Sequence, residues 1–171
     1  MKLKIILVFI LLSNAIIAQE KASYSDEIWT NVTAFRGSIG AQKSFFTEVG
    51  ISKFYYSNNG YFPVSKAKFI AVEFSPTLKP KDENDIYGLK VGYEFTAIII
   101  SVALEAKYQT DFTNNDFVIT PKIGFGAFGI FTFYYGLNVS TNNKPFSRIG
   151  THQFSIICNL NKSALEEMLH L

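Results

Sequence analysis

Residues Tyr87 to Tyr108 read YGLKVGYEF, TA, IIISVALEAKY. In the first arm Tyr87, Leu89, Val91, Tyr93 and Phe95 share one face, and Gly88, Lys90, Gly92 and Glu94 share the other. The second arm repeats the division, with Ile98, Ile100, Val102, Leu104, Ala106 and Tyr108 against Ile99, Ser101, Ala103, Glu105 and Lys107. Strict alternation over this length is a strand signal, because successive side chains leave opposite faces of a pleated backbone. A turn at Thr96-Ala97 sets Phe95 opposite Ile98 and Lys90 opposite Ala103. Lys90 then lies diagonal to Glu105, within reach of a cross-strand ion pair. One face of the hairpin is oily; the other is charged, small or polar.

Working outward, the same alternation predicts strands at 33–42, 45–57, 66–75, 117–125, 131–139 and 152–160. With the two arms at 87–95 and 98–108 the total is eight. Lys43-Ser44 reads as a turn, Ser57-Asn58-Asn59-Gly60 as a strong one, and Gly126 to Gly129 as a short one. Pro121 falls inside its strand; proline cannot donate to a ladder and marks an edge or a bulge. After 160 the pattern changes: Ser163-Ala164-Leu165-Glu166 matches a capping box and predicts a short terminal helix over 161–171.

The first residues read as an export signal. Lys2 and Lys4 precede an apolar run from Ile5 to Ile17, and Ala18 offers a small residue before Gln19. The run falls short of the about 20 residues of a spanning helix. The expected organisation is a signal peptide at 1–18, a polar lead-in at 19–32, a barrel at 33–160 and a helical tail at 161–171. Without Lys2 and Lys4 the basic and acidic residues balance at 14 each, which gives no reason to expect nucleic acid as a partner. The single Cys158 excludes an internal disulfide framework; lying in an apolar row, it reads as a small buried hydrophobe.

Alternation alone does not say which face is inside. A soluble lipocalin-like barrel holds an apolar ligand among inward apolar residues, whereas a membrane barrel turns them to lipid around a polar lumen. Strands of about 10 residues suffice to cross a hydrocarbon layer when tilted. Phe45, Tyr55, Tyr87, Tyr108, Phe117 and Phe131 recur near the ends of the apolar rows, as interfacial girdles require. The polar rows mix small residues with balanced charges: Arg36, Lys90, Lys107 and Lys122 against Glu48, Glu73, Glu94 and Glu105. These eight residues are the candidate site, a lumen charge network that either lines a narrow path or plugs the interior.

An export signal ending in Ala18-Gln19, eight alternating strands, and a polar loop after the third, fifth and seventh resemble the small outer-membrane β-barrel family. Its best-known members are the OmpA- and OmpX-like barrels of Gram-negative bacteria. The resemblance covers about 33–160 and rests on pattern, without a diagnostic motif. It implies an all-β, eight-stranded antiparallel up-and-down transmembrane barrel with its N-terminus in the periplasm. The turns at Thr96-Ala97 and Gly126–Gly129 would lie on that side, and the loops at 76–85, 110–116 and 140–149 would face outward. It further implies outer-membrane lipid as the partner, a structural or surface-interaction role carried by those loops, and a monomer. Two features depart from the family habit: the first outer loop is only Lys43-Ser44, and the chain continues past its last strand into a helix.

Catalysis is poorly supported by the residues present. His152 and His170 are the two candidate bases near neutral pH, and His152-Gln153-Phe154-Ser155 lacks the His-x-Ser spacing of a barrel lipid deacylase. Asp82, Glu83 and Asp85 read as a solvated loop before a weak cation site. No phosphate-binding glycine loop, zinc spacing or serine triad occurs. No cofactor or metal is expected, and the chain reads as a non-enzyme.

Overall fold

A computed structural model describes residues 29–57, 64–77, 84–127, 129–142 and 145–161. The expected signal, the terminal helix after Asn161, and Asp82, Glu83 and His170 lie outside the described residues. The chain forms β1 (Thr30–Ser57), β2 (Val64–Ser75), β3 (Ile86–Ala97), β4 (Ile100–Thr110), β5 (Asn115–Ala127), β6 (Phe131–Leu137), β7 (Val139–Ser140) and β8 (Ile149–Leu160). Pairing runs from β1 through β2, β3, β4, β5, β6 and β8 and returns to β1. Every pairing is antiparallel, so the sheet closes into a barrel.

Parity explains the long β1. A ring of purely antiparallel neighbours needs an even number of strands, so β1 must contribute two to the ring. Its first half pairs with β8, from Phe35↔Leu160 to Lys43↔Ile149, and its second half pairs with β2, from Thr47↔Phe74 to Ser57↔Val64. The reversal falls near Lys43, which takes a φ of 66°. The inward residues keep even numbers on both sides of it, Gln42 and Phe46, so the connection is not a plain two-residue turn, which would switch the parity. The barrel is therefore eight-stranded, with β7 prolonging β6.

The β6–β7 break explains Pro121. On one side Pro121 pairs with Leu104 of β4. On the other, β5 pairs with β6 only as far as Lys122↔Gly136 and with β7 from Ile119↔Val139. The gap lies beside the residue that has no N–H to donate. Asn138 leaves the ladder there, donating its amide to Thr151 O at 2.7 Å.

The β3–β4 turn differs from the expected Thr96-Ala97. It lies at Ile98-Ile99, with Ala97↔Ile100, Phe95↔Val102 and Lys90↔Lys107, so neither Phe95–Ile98 nor Lys90–Ala103 is a pair. In the expected register Ile99 would sit inside the barrel opposite Glu94. In the observed one Ile99 lies in the turn, exposed, and Glu94 faces Ala103. Because the register changes by an even number of residues, every side chain keeps its face. Ile98 takes the positive φ, 59°, that Lys43 takes in the first hairpin.

The strands also outrun their expected ends. The 110–116 loop contracts to 111–114 and the 140–149 loop to 141–148, and β5 runs on through Ala127, past the start of the turn expected at 126–129. The extensions place Gln109 and Asp116 inside, so the alternation continues through polar residues that an apolar-row reading does not register. At one end Asp111 closes the β4–β5 turn, its Oδ1 accepting the amides of Thr113 (2.9 Å) and Asn114 (2.6 Å). These bonds hold its carboxyl below the ordinary aspartate range.

Candidate functional site

The two rows of each strand are sharply sorted. Leu89, Val102 and Phe133 are 52%, 43% and 49% exposed, whereas Lys90 and Glu105 are 0% and 1% exposed. The apolar row faces outward and the ionic row is sealed within the cylinder. All eight candidate residues, Arg36, Glu48, Glu73, Lys90, Glu94, Glu105, Lys107 and Lys122, are buried there.

They form one connected network. Near the end that carries both termini, Arg36 Nη2 reaches Glu94 at 2.9 Å and its Nε reaches Glu48 at 2.7 Å. Lys90 Nζ continues from Glu48 (2.8 Å) to Glu73 (2.5 Å), and Lys107 joins Glu73 at 3.0 Å. Lys122 meets Glu105 at 2.6 Å, and Glu105 lies 3.8 Å from both Arg36 and Lys90. The register accounts for the chain: Lys90 and Lys107 are directly opposed on β3 and β4, and Glu73 of β2 lies between their charges. Formal charges cancel across the eight residues.

Aromatic rings lie against three of the four cations. The Arg36 guanidinium lies 3.6 Å from the Phe69 ring centre, Lys90 Nζ 4.9 Å from Phe46, and Lys122 Nζ 5.8 Å from Tyr134. Gly92 makes room for Phe69, because a Cβ there would lie 2.5 Å from the ring. Apolar plugs close both ends. Ala34, Phe54, Tyr56, Ala67 and Ile130 pack together at the terminal end, and Ile86, Phe146 and Ile149 at the other. Arg148 fastens the second plug by donating to Pro76 O (2.9 Å) and Asn84 O.

Uncharged partners absent from the sequence-based candidates complete the network. Asn159 accepts from Arg36 (3.4 Å) and Ser52 (3.0 Å) and donates to Gly129 O (3.0 Å). Asn138 donates to Gln42 Oε1 at 2.8 Å and accepts from Thr120 at 2.7 Å, while Gln42 and Gln109 both donate to Glu73. Their inward parity was a usable signal; their amides are uncharged and so escaped a search for charge balance. Chemically this arrangement is a neutralised, capped interior whose ions strengthen one another where water is scarce.

The other candidates stand apart. His152 lies on the outward row with its Nδ1 2.6 Å from Tyr135 Oη, and Asp85 accepts the Thr77 amide at 2.7 Å. Cys158 is half-buried on the outward row, a correction to the expected buried position: its neighbours Gly37 and Phe131 lie across the strands and leave its outer side open. Comparisons with protein-family models, with curated proteins and with solved structures find no match to this chain.

Proposed function

We propose that this chain is a non-enzymatic outer-membrane β-barrel with a structural or surface-interaction role. The observation that carries the reading is the inversion of the two rows. A belt of exposed Val49, Ile70, Leu89, Val102, Ile123, Phe133 and Ile156 runs around the staves, while the charges lie inside. Monomeric soluble proteins rarely expose apolar patches beyond a few hundred Å². Closure also pairs the backbone groups that hydrocarbon would otherwise leave unsatisfied. Tyr87, Tyr108, Phe117 and Phe131 sit near the strand ends at the borders of the belt.

In this reading lipid is the partner of the belt, and the protein works as a monomer delivered by a signal cleaved after Ala18. Both termini of the described barrel, the Ile98-Ile99 turn and the 128–130 turn face the periplasm. The segments 76–85, 111–114 and 141–148 face outward and carry any surface recognition, and the 161–171 tail forms its short helix on the periplasmic side. A soluble barrel with an apolar ligand would need its apolar row within. The ionic lining weighs against that alternative.

Membrane fractionation combined with gel mobility before and after heating tests the proposal. The expected result is a membrane-fraction protein beginning at Gln19 whose unheated form migrates as a compact species. Recovery in the aqueous fraction overturns it. Labelling of Lys79 and Lys81 on intact cells then tests the orientation.

A further inference from the structure

The outer face of the barrel carries a second set of charges near the terminal end, with no acidic partner among the described residues. Lys53 of β1 and Lys68 of β2 are both exposed and directly opposed across the ladder, and Lys66 lies two residues nearer the strand end. Like charges placed directly opposite destabilise a sheet. Nothing described offsets them: Glu48, Glu73, Glu94 and Glu105 are inside, and Asp85, Asp111 and Asp116 belong to the opposite end. Two aromatic rings hold the ammonium groups at this level. Lys66 Nζ lies 4.2 Å from the Trp29 ring centre, and Lys53 Nζ lies 5.7 Å from Tyr55. The next outward residues toward the barrel middle are Ile51 and Ile70, so the three lysines stand at the edge of the apolar belt.

The geometry points to a binding site for the anionic headgroup of a phospholipid, formed by Lys53, Lys66 and Lys68 on the outer wall at the terminal end. This rests on the reading of the barrel as membrane-spanning. Long lysine side chains at such a border extend along apolar surface and carry their charge to headgroup depth. An acyl chain then lies along Ile51 and Ile70, and the phosphate sits between the opposed ammonium groups. A neutral zwitterionic headgroup offers no net charge to offset their repulsion, so the site distinguishes the two lipid classes.

The test refolds the full chain into vesicles of phosphatidylcholine alone or doped with phosphatidylglycerol, extracts it in mild detergent, and counts retained lipids by native mass spectrometry. The expected result is preferential retention of phosphatidylglycerol, falling about fivefold for each lysine removed along the series to K53Q/K66Q/K68Q. K53R/K66R/K68R keeps the preference, and so does K43Q, which removes the same charge at the opposite end. Should the triple glutamine variant fail to fold, K68Q alone still shows the drop. Equal retention of both lipids by inserted wild-type protein with heat-shifted mobility overturns the site and leaves the membrane reading standing. Failure to insert into either vesicle overturns that reading and the site with it. Displacement of the lipid by inorganic phosphate alone overturns the assignment to a headgroup.

Discussion

The two walls of the lumen differ in kind. The second half of β1 together with β2, β3, β4 and β5 supplies seven of the eight network charges: Glu48, Glu73, Lys90, Glu94, Glu105, Lys107 and Lys122. The facing wall, made of β6, β8 and the first half of β1, supplies Arg36 alone; its other inward positions, among them Gln42, Thr132, Tyr134, Gly136, Gln153 and Ile157, are uncharged. An eight-stranded barrel is just wide enough for its side chains to fill. Long ionic side chains from one wall therefore need short or uncharged residues on the other. Adjacent strands also bring opposite charges within diagonal reach, as for Lys90 with Glu73 and Lys122 with Glu105, which favours clustering on neighbours over scattering round the ring. Arg36 is the exception that joins the walls.

Four substitutions break or sharpen this contrast, each read as the urea midpoint of the refolded protein. Arg36→Ala has the largest expected effect, a loss of about 3–5 kcal/mol, because it leaves the buried Glu94 without its cation and takes from Glu48 one of its two. A loss below about 1 kcal/mol would mean that the network is solvated and that the walls are not linked through Arg36. Lys122→Met comes next, at about 2–3 kcal/mol, since Glu105 keeps only contacts at 3.8 Å. Adding Glu105→Gln to that variant should recover part of the loss, giving a coupling on the order of 1 kcal/mol.

Gly136→Leu tests the need for a short residue beside Lys122. A Cβ there would lie 2.9 Å from both Lys122 Cγ and Thr120 Cγ2, so overpacking should cost about 1–3 kcal/mol. A neutral result would show spare room between the walls. Gln153→Leu should be smallest, within about 1 kcal/mol of wild type or slightly stabilising. The Gln153 amide is fully buried, and neither its oxygen nor its nitrogen has a protein hydrogen-bond partner among the described residues. A large loss there would mark the uncharged wall as a bound polar site rather than a filler.

Much of this architecture was readable from alternation. Lys90, Glu94, Glu105 and Lys107 fall on the correct face in either register of the β3–β4 hairpin, because side-chain facing depends only on parity. The turn was misplaced because Ile98, Ile99 and Ile100 read as a strand, and intrinsic preference disfavours a β-branched residue at positive φ. Tertiary context overrode that preference to keep Ile99 out of the interior. The Pro121 difficulty was visible in advance, but its resolution in the β6–β7 break depends on a partner strand distant in sequence. Asn138, Asn159 and Gln42 were missed for a related reason: an amide reveals its role only when its acceptors and donors arrive from other strands.

Period-two patterning and turn chemistry, local properties of the chain, were enough to specify strands, their number and the partition of each into an oily and an ionic row. Which row faces inward, which charges meet, and how the interior is capped arose only on closure, since each depends on neighbours as remote as Arg36 and Asn159. A strand carries its own parity, but an ion pair requires two strands in a fixed register. That register belongs to the closed ring rather than to any one segment.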